Sequence, residues 1–235
     1  MHPDLDLQHS IRPGLDILAN EILISLKKRT RFMTNPEVYV PGLVVSSPNV
    51  SLLQFELGRV ETMHAELGRY TYADQESFTD VASVESVISR AAPESPIQRM
   101  PSGVGTRILE YYQGWVNVGC ETGSDANTFG ETVTADVVAL LAIMERINLG
   151  KYVAESKYLV APEPFHEAGY DRDAILDLIV RKDREGQVFE IARQLADNYA
   201  FDQEQAVQLF EFMVDVTKDV EVDYIRRRLN LTPDD

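Results

Sequence analysis

A chain of 235 residues with 44% hydrophobic side chains can build a sizeable core, as one large domain or two small ones. Its formal charge of −16 repels nucleic acid and anionic membranes, so an anionic ligand would need a local cluster of Arg and Lys set against the global field. The lone cysteine, Cys120, rules out an intramolecular disulfide, and neither a secretory leader nor an apolar run near the ~18 residues of a membrane span is found, which predicts a soluble cytoplasmic protein with no nucleic-acid and no membrane partner.

In chain order, residues 12–32 carry Leu15, Leu18, Ile22, Leu26 and Arg29 at helical spacing, with Pro13 in the first turn and basic residues at the end. Arg12 stands at the entry of this helix, where an exposed terminal arginine is the plain alternative to a functional one. Residues 35–49 contain three prolines and a glycine and read as a loop; residues 50–70 form a second amphipathic helix. A shorter helix is expected over 79–90, then a loop over 91–105 open to movement, a helix over 106–118, and a polar connector, CETGSDANTFG, with scope for regulatory contacts.

Residues 129–158 have no proline and apolar side chains on most of the circumference, which predicts one buried helix of about 29 residues, roughly 43 Å long. Arg146 and Lys157 are separated by eleven residues, about 20° beyond three full turns, so both point the same way, with Gly150, Val153 and Ala154 leaving space between them. Two cations flanking small residues suggest an anion pocket; snorkelling or pairing with acids is the alternative. After a break at APEPF come a short helix capped by Asp171 or Asp173 and another over 183–199. Glu185 fits the first turn of the latter as a dipole-stabilising acid, with Arg181 four residues earlier as a partner. In the last helix, 203–229, Thr217 and Glu221 occupy core positions, and a buried acid is either bridged to a cation or working. No strand pattern, metal spacing, nucleophile motif or nucleotide signature accompanies them.

ERINLGKYVAESKY at 145–158 is similar to RRIHxGKxVAExKF, and TKDVEVDYIRRRL at 217–229 to TKEVEVEYLLRRL, both motifs of the eukaryote-type, all-helical chorismate mutases. Weaker likenesses lie at 11–32, 51–78 and 127–137, so the resemblance spans nearly the whole chain. It implies an all-α fold, a single helical domain over 1–235 built around one long central helix at about 130–158. It also implies rearrangement of chorismate to prephenate in phenylalanine and tyrosine biosynthesis, with no cofactor, no metal and no covalent intermediate, in a homodimer. By motif, Arg12 and Arg146 would bind the two substrate carboxylates, Lys157 and Glu221 would donate to the ether oxygen, Glu185 would accept from the ring hydroxyl, and Thr217 would help position the ligand. Gly150, Val153 and Arg181 would add to the pocket, and Gly150→Leu is expected to abolish turnover while leaving the helix intact.

Members that respond to aromatic amino acids resemble RRF or RRY where this chain has Gly68, Arg69 and Tyr70, and GS where it has Gly130 and Glu131. An effector site drawing on Arg69, Gly130, Glu131 and Thr134 should therefore be absent or altered. Removal of pyruvate from isochorismate, or a helical binding protein without turnover, are the competing readings.

Overall fold

The computed structural model describes residues 5–89, 91 and 94–230. Among them no strand forms, and one isolated bridge joins Pro41 to Ser51. The helices are α1 (Arg12–Arg29), α2 (Leu52–Glu66), α3 (Gly105–Gly119), α4 (Phe129–Asn148), α5 (Gly150–Val160), α6 (Pro162–Ala168), α7 (Arg172–Ile179), α8 (Lys182–Asn198) and α9 (Gln203–Arg228). Local chemistry marks their starts. Ser51 and Gln54 form a reciprocal capping box on α2, Asp171 caps α7, and Asp202 caps α9. A π-helical turn, Leu7–Ile11, leads into α1 with Asp6 accepting from the backbone of Gln8 and His9, and Pro13 sits in the first turn.

The predicted central helix is present as two collinear-in-sequence segments, α4 and α5, that meet at Leu149. Hydrogen bonding continues through the joint: Leu149 N donates to Glu145 O, and Leu149 O accepts from both Tyr152 N and Val153 N at 3.1 and 3.2 Å. One carbonyl shared by two donors marks a tightened turn next to Gly150. α1 lies along α4, α2 and α3 also contact α4, and α9 packs on α4, α5, α7 and α8. Two apolar clusters result. The larger unites α1–α4 with α8 and the first half of α9; the smaller gathers Ile11, Tyr152, Tyr158, Phe165, Ile175, Ile179 and Ile225 around α5 and the end of α9.

The expected helix over 79–90 is absent: the described residues there make turns and bends, and Arg90 lies outside the described residues. Small polar side chains take the backbone bonds a helix would use, with Asp80 accepting from Ala82 N and Ser86 Oγ donating to Glu66 O and Ile88 O. The following loop is fastened rather than open. Ile97 and Met100 are buried, Gln98 N donates to Tyr224 Oη, and Ser102 binds Glu76, which in turn pairs with buried Lys151. Another buried group departs from expectation. Arg29 is fully buried, bonded to Asp136 at 2.6 Å, to Tyr39, and to the carbonyls of Phe32, Met33 and Thr34, so it ties α1 to α4 and the loop between α1 and α2.

Candidate active site

A cavity of about 160 Å³ opens where the two apolar clusters meet, between the start of α1, the α4–α5 joint, the α7–α8 junction and the middle of α9. The helical period explains what it receives. Arg146, Gly150, Val153 and Lys157 fall at i, i+4, i+7 and i+11 and line one wall; Val214, Thr217 and Glu221 fall at i, i+3 and i+7 and line the opposite one. Arg12 enters from α1, and Arg181 and Glu185 from the start of α8. All nine residues named for the catalytic and substrate pocket thus border one cavity. Arg184 and Lys218 border it too and were not singled out. Charged side chains beside a helix start or in a polar i, i+3 pattern read as solvated surface; only the packing of α8 on α9 turns them inward.

The walls are held close by Gly150. A Cβ at that position would lie 2.7 Å from Thr217 Cγ2. The face between the two cations is therefore a helix contact as well as a pocket wall, and Ala154 belongs to the smaller apolar cluster instead of the cavity. Gly150→Leu would push α5 and α9 apart, so the expected loss of turnover would come with disturbed packing between the two helices and not from a filled pocket alone.

Arg146 is 5% exposed, its guanidinium lies over the Phe210 ring with 5.1 Å from Cζ to the centroid, and its Nε is buried without a hydrogen-bond partner. Burial pulls it down to about 10, with Asp16 opposing in part, so it stays charged at neutral pH. A buried cation lacking a donor's partner is costly, and an anionic ligand offsets that cost. Burial likewise lowers Arg12, helped by the neighbouring charges of Arg184 and Arg181. Lys157 Nζ lies 2.8 Å from Glu221 Oε2 and donates to Ile179 O at 2.9 Å. Glu221 is 7% exposed, and burial raises its pKa above the usual carboxylate range, against the opposing effect of Lys157 and Lys218. Thr217 Oγ1 donates to Met213 O at 2.7 Å, which leaves its methyl facing Gly150.

Glu185 does not pair with Arg181. Its Oε1 is 3.0 Å from Lys218 Nζ, across the α8–α9 contact. Arg181 occupies the N-cap position of α8 in an extended conformation and pairs with Asp183 at 3.3 Å. The residues nominated for an effector separate within the chain. Arg69 borders a cavity of about 510 Å³ and is bonded to Glu145 at 2.6 Å and Gln75 at 2.8 Å. Gly130, Glu131 and Thr134 border another of about 610 Å³ with Lys28, Arg31 and Glu56.

A family model described as "Chorismate mutase type II" matches residues 131–222, a span that includes every nominated catalytic and substrate-binding residue except Arg12. A Schizosaccharomyces pombe chorismate mutase is 28% identical over 240 residues, covering 94% of this chain and 95% of its own length. The fold is shared with a Candida albicans chorismate mutase solved in complex with L-Trp (TM-score 0.90, 24% identity, 96% of this chain and 92% of that one). It is shared as well with a chorismate mutase solved with tyrosine in its allosteric site (TM-score 0.85, 23% identity, 96% and 99%). Motif, near-complete relatives and fold agree: over nearly its whole length the chain is similar to the all-helical chorismate mutases.

Proposed function

We propose that this protein rearranges chorismate to prephenate for phenylalanine and tyrosine biosynthesis, and that the cavity between α5 and α9 is where it does so. The observation that carries this reading is the convergence of a buried guanidinium whose Nε lacks a hydrogen-bond partner, Arg146, with the Lys157–Glu221 donor pair in one cavity. Arg146 and Arg12 bind the carboxylates and hold a flexible molecule in its compact reactive conformation. The ether C–O bond breaks ahead of C–C bond formation, with no atom, proton or electron entering or leaving, so negative charge grows on the ether oxygen. Lys157 and protonated Glu221, 2.8 Å apart, donate to that one oxygen and stabilise the transition state more than the ground state. Glu185 accepts from the ring hydroxyl, and Thr217, Gly150, Val153 and Arg181 shape the remaining wall.

The chain acts as one helical unit in this reading, since the cavity takes Val188 from the edge of the larger apolar cluster and Leu7, Leu15, Val153 and Val180 from the edge of the smaller. We also propose a homodimer, in which exposed apolar side chains such as Ile17, Met63, Leu67 and Val138 would be covered, and residence in the cytoplasm, consistent with the single buried free cysteine. Among the described residues no helix is long and apolar enough to cross a membrane. Purified protein given chorismate and isochorismate in parallel tests the reading. Loss of chorismate absorbance with prephenate formed supports it; pyruvate release from isochorismate alone, or tight dianion binding without turnover, would replace it with a lyase or a binding protein.

A further inference from the structure

Two cations that border the cavity, Arg184 and Lys218, have no part in the reaction as proposed, and Lys218 is the one held by an acid that does. Lys218 follows Thr217 on α9 and precedes Glu221 by three residues, and its Nζ lies 3.0 Å from Glu185 Oε1 and 3.3 Å from Asp215 Oδ1. It thus sits against one acid of the proposed reaction, Glu185, the hydrogen-bond acceptor, and one turn before the other, Glu221, which must be protonated to donate a hydrogen bond. We propose that Lys218 is a positioning residue for the rearrangement, which aims Glu185 at the ring hydroxyl through their ion pair and holds a positive charge beside Glu221. This rests on the chorismate mutase reading of the cavity.

The surroundings support a specific role for this ammonium. Glu221 faces Lys157 from α5 and Lys218 from its own helix, while Arg146 from α4, Arg12 from α1, and Arg181, Arg184 and Glu185 from α8 border the same space. Lys157 and Lys218 both act to lower Glu221, against the larger effect of burial. Lys218 itself is raised: burial lowers it, and Glu185 and Asp215 together outweigh that. The alternative is a clamp between α8 and α9. The two side chains are 25% and 26% exposed, a setting in which an ion pair contributes little to stability. A clamp would also be indifferent to the charge it leaves on Glu221.

The test measures chorismate consumption from acid to alkaline pH for wild type, Lys218→Met and Lys218→Arg, with thermal melts as a check on folding. Lys218→Met should lower kcat/KM about tenfold at the wild-type optimum, as expected for a misplaced hydrogen-bond acceptor. It should also move the alkaline limb of the pH profile upward by about one pH unit, because Glu221 holds its proton longer without the neighbouring positive charge. Lys218→Arg should keep that limb where wild type has it. An alkaline limb that stays in place in a folded Lys218→Met protein, whatever the height of the profile, overturns the inference, and Lys218→Gln gives the same reading should the methionine variant not fold. Wild-type protein inert towards chorismate would instead sink the chorismate mutase reading and this inference with it.

Discussion

A carboxylic acid that has to donate a hydrogen bond must hold its proton at the working pH, and Glu221 is placed to do so. Burial raises it, while Lys157 at 2.8 Å and Lys218 oppose. In the proposed role, the side chain below its raised pKa would be a donor to the ether oxygen, and above it the carboxylate would repel the charge growing there. Activity is therefore predicted to fall as pH rises through the raised pKa of Glu221, and Glu221→Gln, a donor at every pH, should flatten that decline. Parallel rate profiles of the two proteins would check this, and superimposable profiles would count against the role. At this scale much was legible from the chain. Arg146 and Lys157 declare themselves by angular coincidence on an apolar helix, and Glu221 by standing in a core stripe. Lys218 and Arg184 did not, because they reach the cavity only where α8 meets α9, which leaves no periodic trace. The pairing of Glu185 misled for the same reason: a nearby Arg181 in sequence lost to a distant Lys218 in space.

At the scale of the element, the site depends on how closely two helices approach. α5 and α9 touch at Gly150 and Thr217, where an added Cβ would come within 2.7 Å of the threonine methyl. Gly150→Ala is predicted to destabilise the protein by about 1–3 kcal/mol through overpacking and to reduce turnover by widening the cavity. The double change Gly150→Ala with Thr217→Ser removes the opposing methyl and keeps a hydroxyl for Met213 O, so melting temperature should recover most of its loss. Equal melting temperatures for the single and double variants would show that the contact is not the cause. Helix existence was readable from periodicity, and α1, α2, α3, α8 and α9 begin and end within a few residues of expectation. The failures were local. The central helix tightens at Leu149, whose carbonyl is shared by two donors, and 79–89 prefers side-chain-to-backbone bonds over helical ones.

The whole molecule carries a formal charge of −16, yet its cavity is bordered by Arg12, Arg146, Lys157, Arg181, Arg184 and Lys218 against only Glu185 and Glu221. Such a local reversal concentrates an anionic substrate at one place on an otherwise repulsive surface. Regulation follows a different logic. Arg69 is occupied by Glu145, Gly68 offers no second guanidinium, and Glu131 adds a carboxylate near Gly130 and Thr134. Titrating tyrosine or tryptophan into the assay is predicted to change the initial rate by less than about twofold, as expected when carboxylate capture lacks an arginine pair; a strong response to either would show that capture is achieved by other cations, such as Lys28 or Arg31. The all-helical class and its central helix were evident from hydrophobic spacing, whereas the buried Arg29–Asp136 pair was not, since an arginine in a basic helix end looks solvated until a distant aspartate meets it. The central claim is that an ammonium fixed at the ether oxygen drives the rearrangement, and chorismate turnover by wild type and Lys157→Met tests it most directly. The account predicts rapid turnover by wild type and a folded Lys157→Met protein slower by about 10²–10³-fold in kcat; equal rates in the two proteins would contradict it.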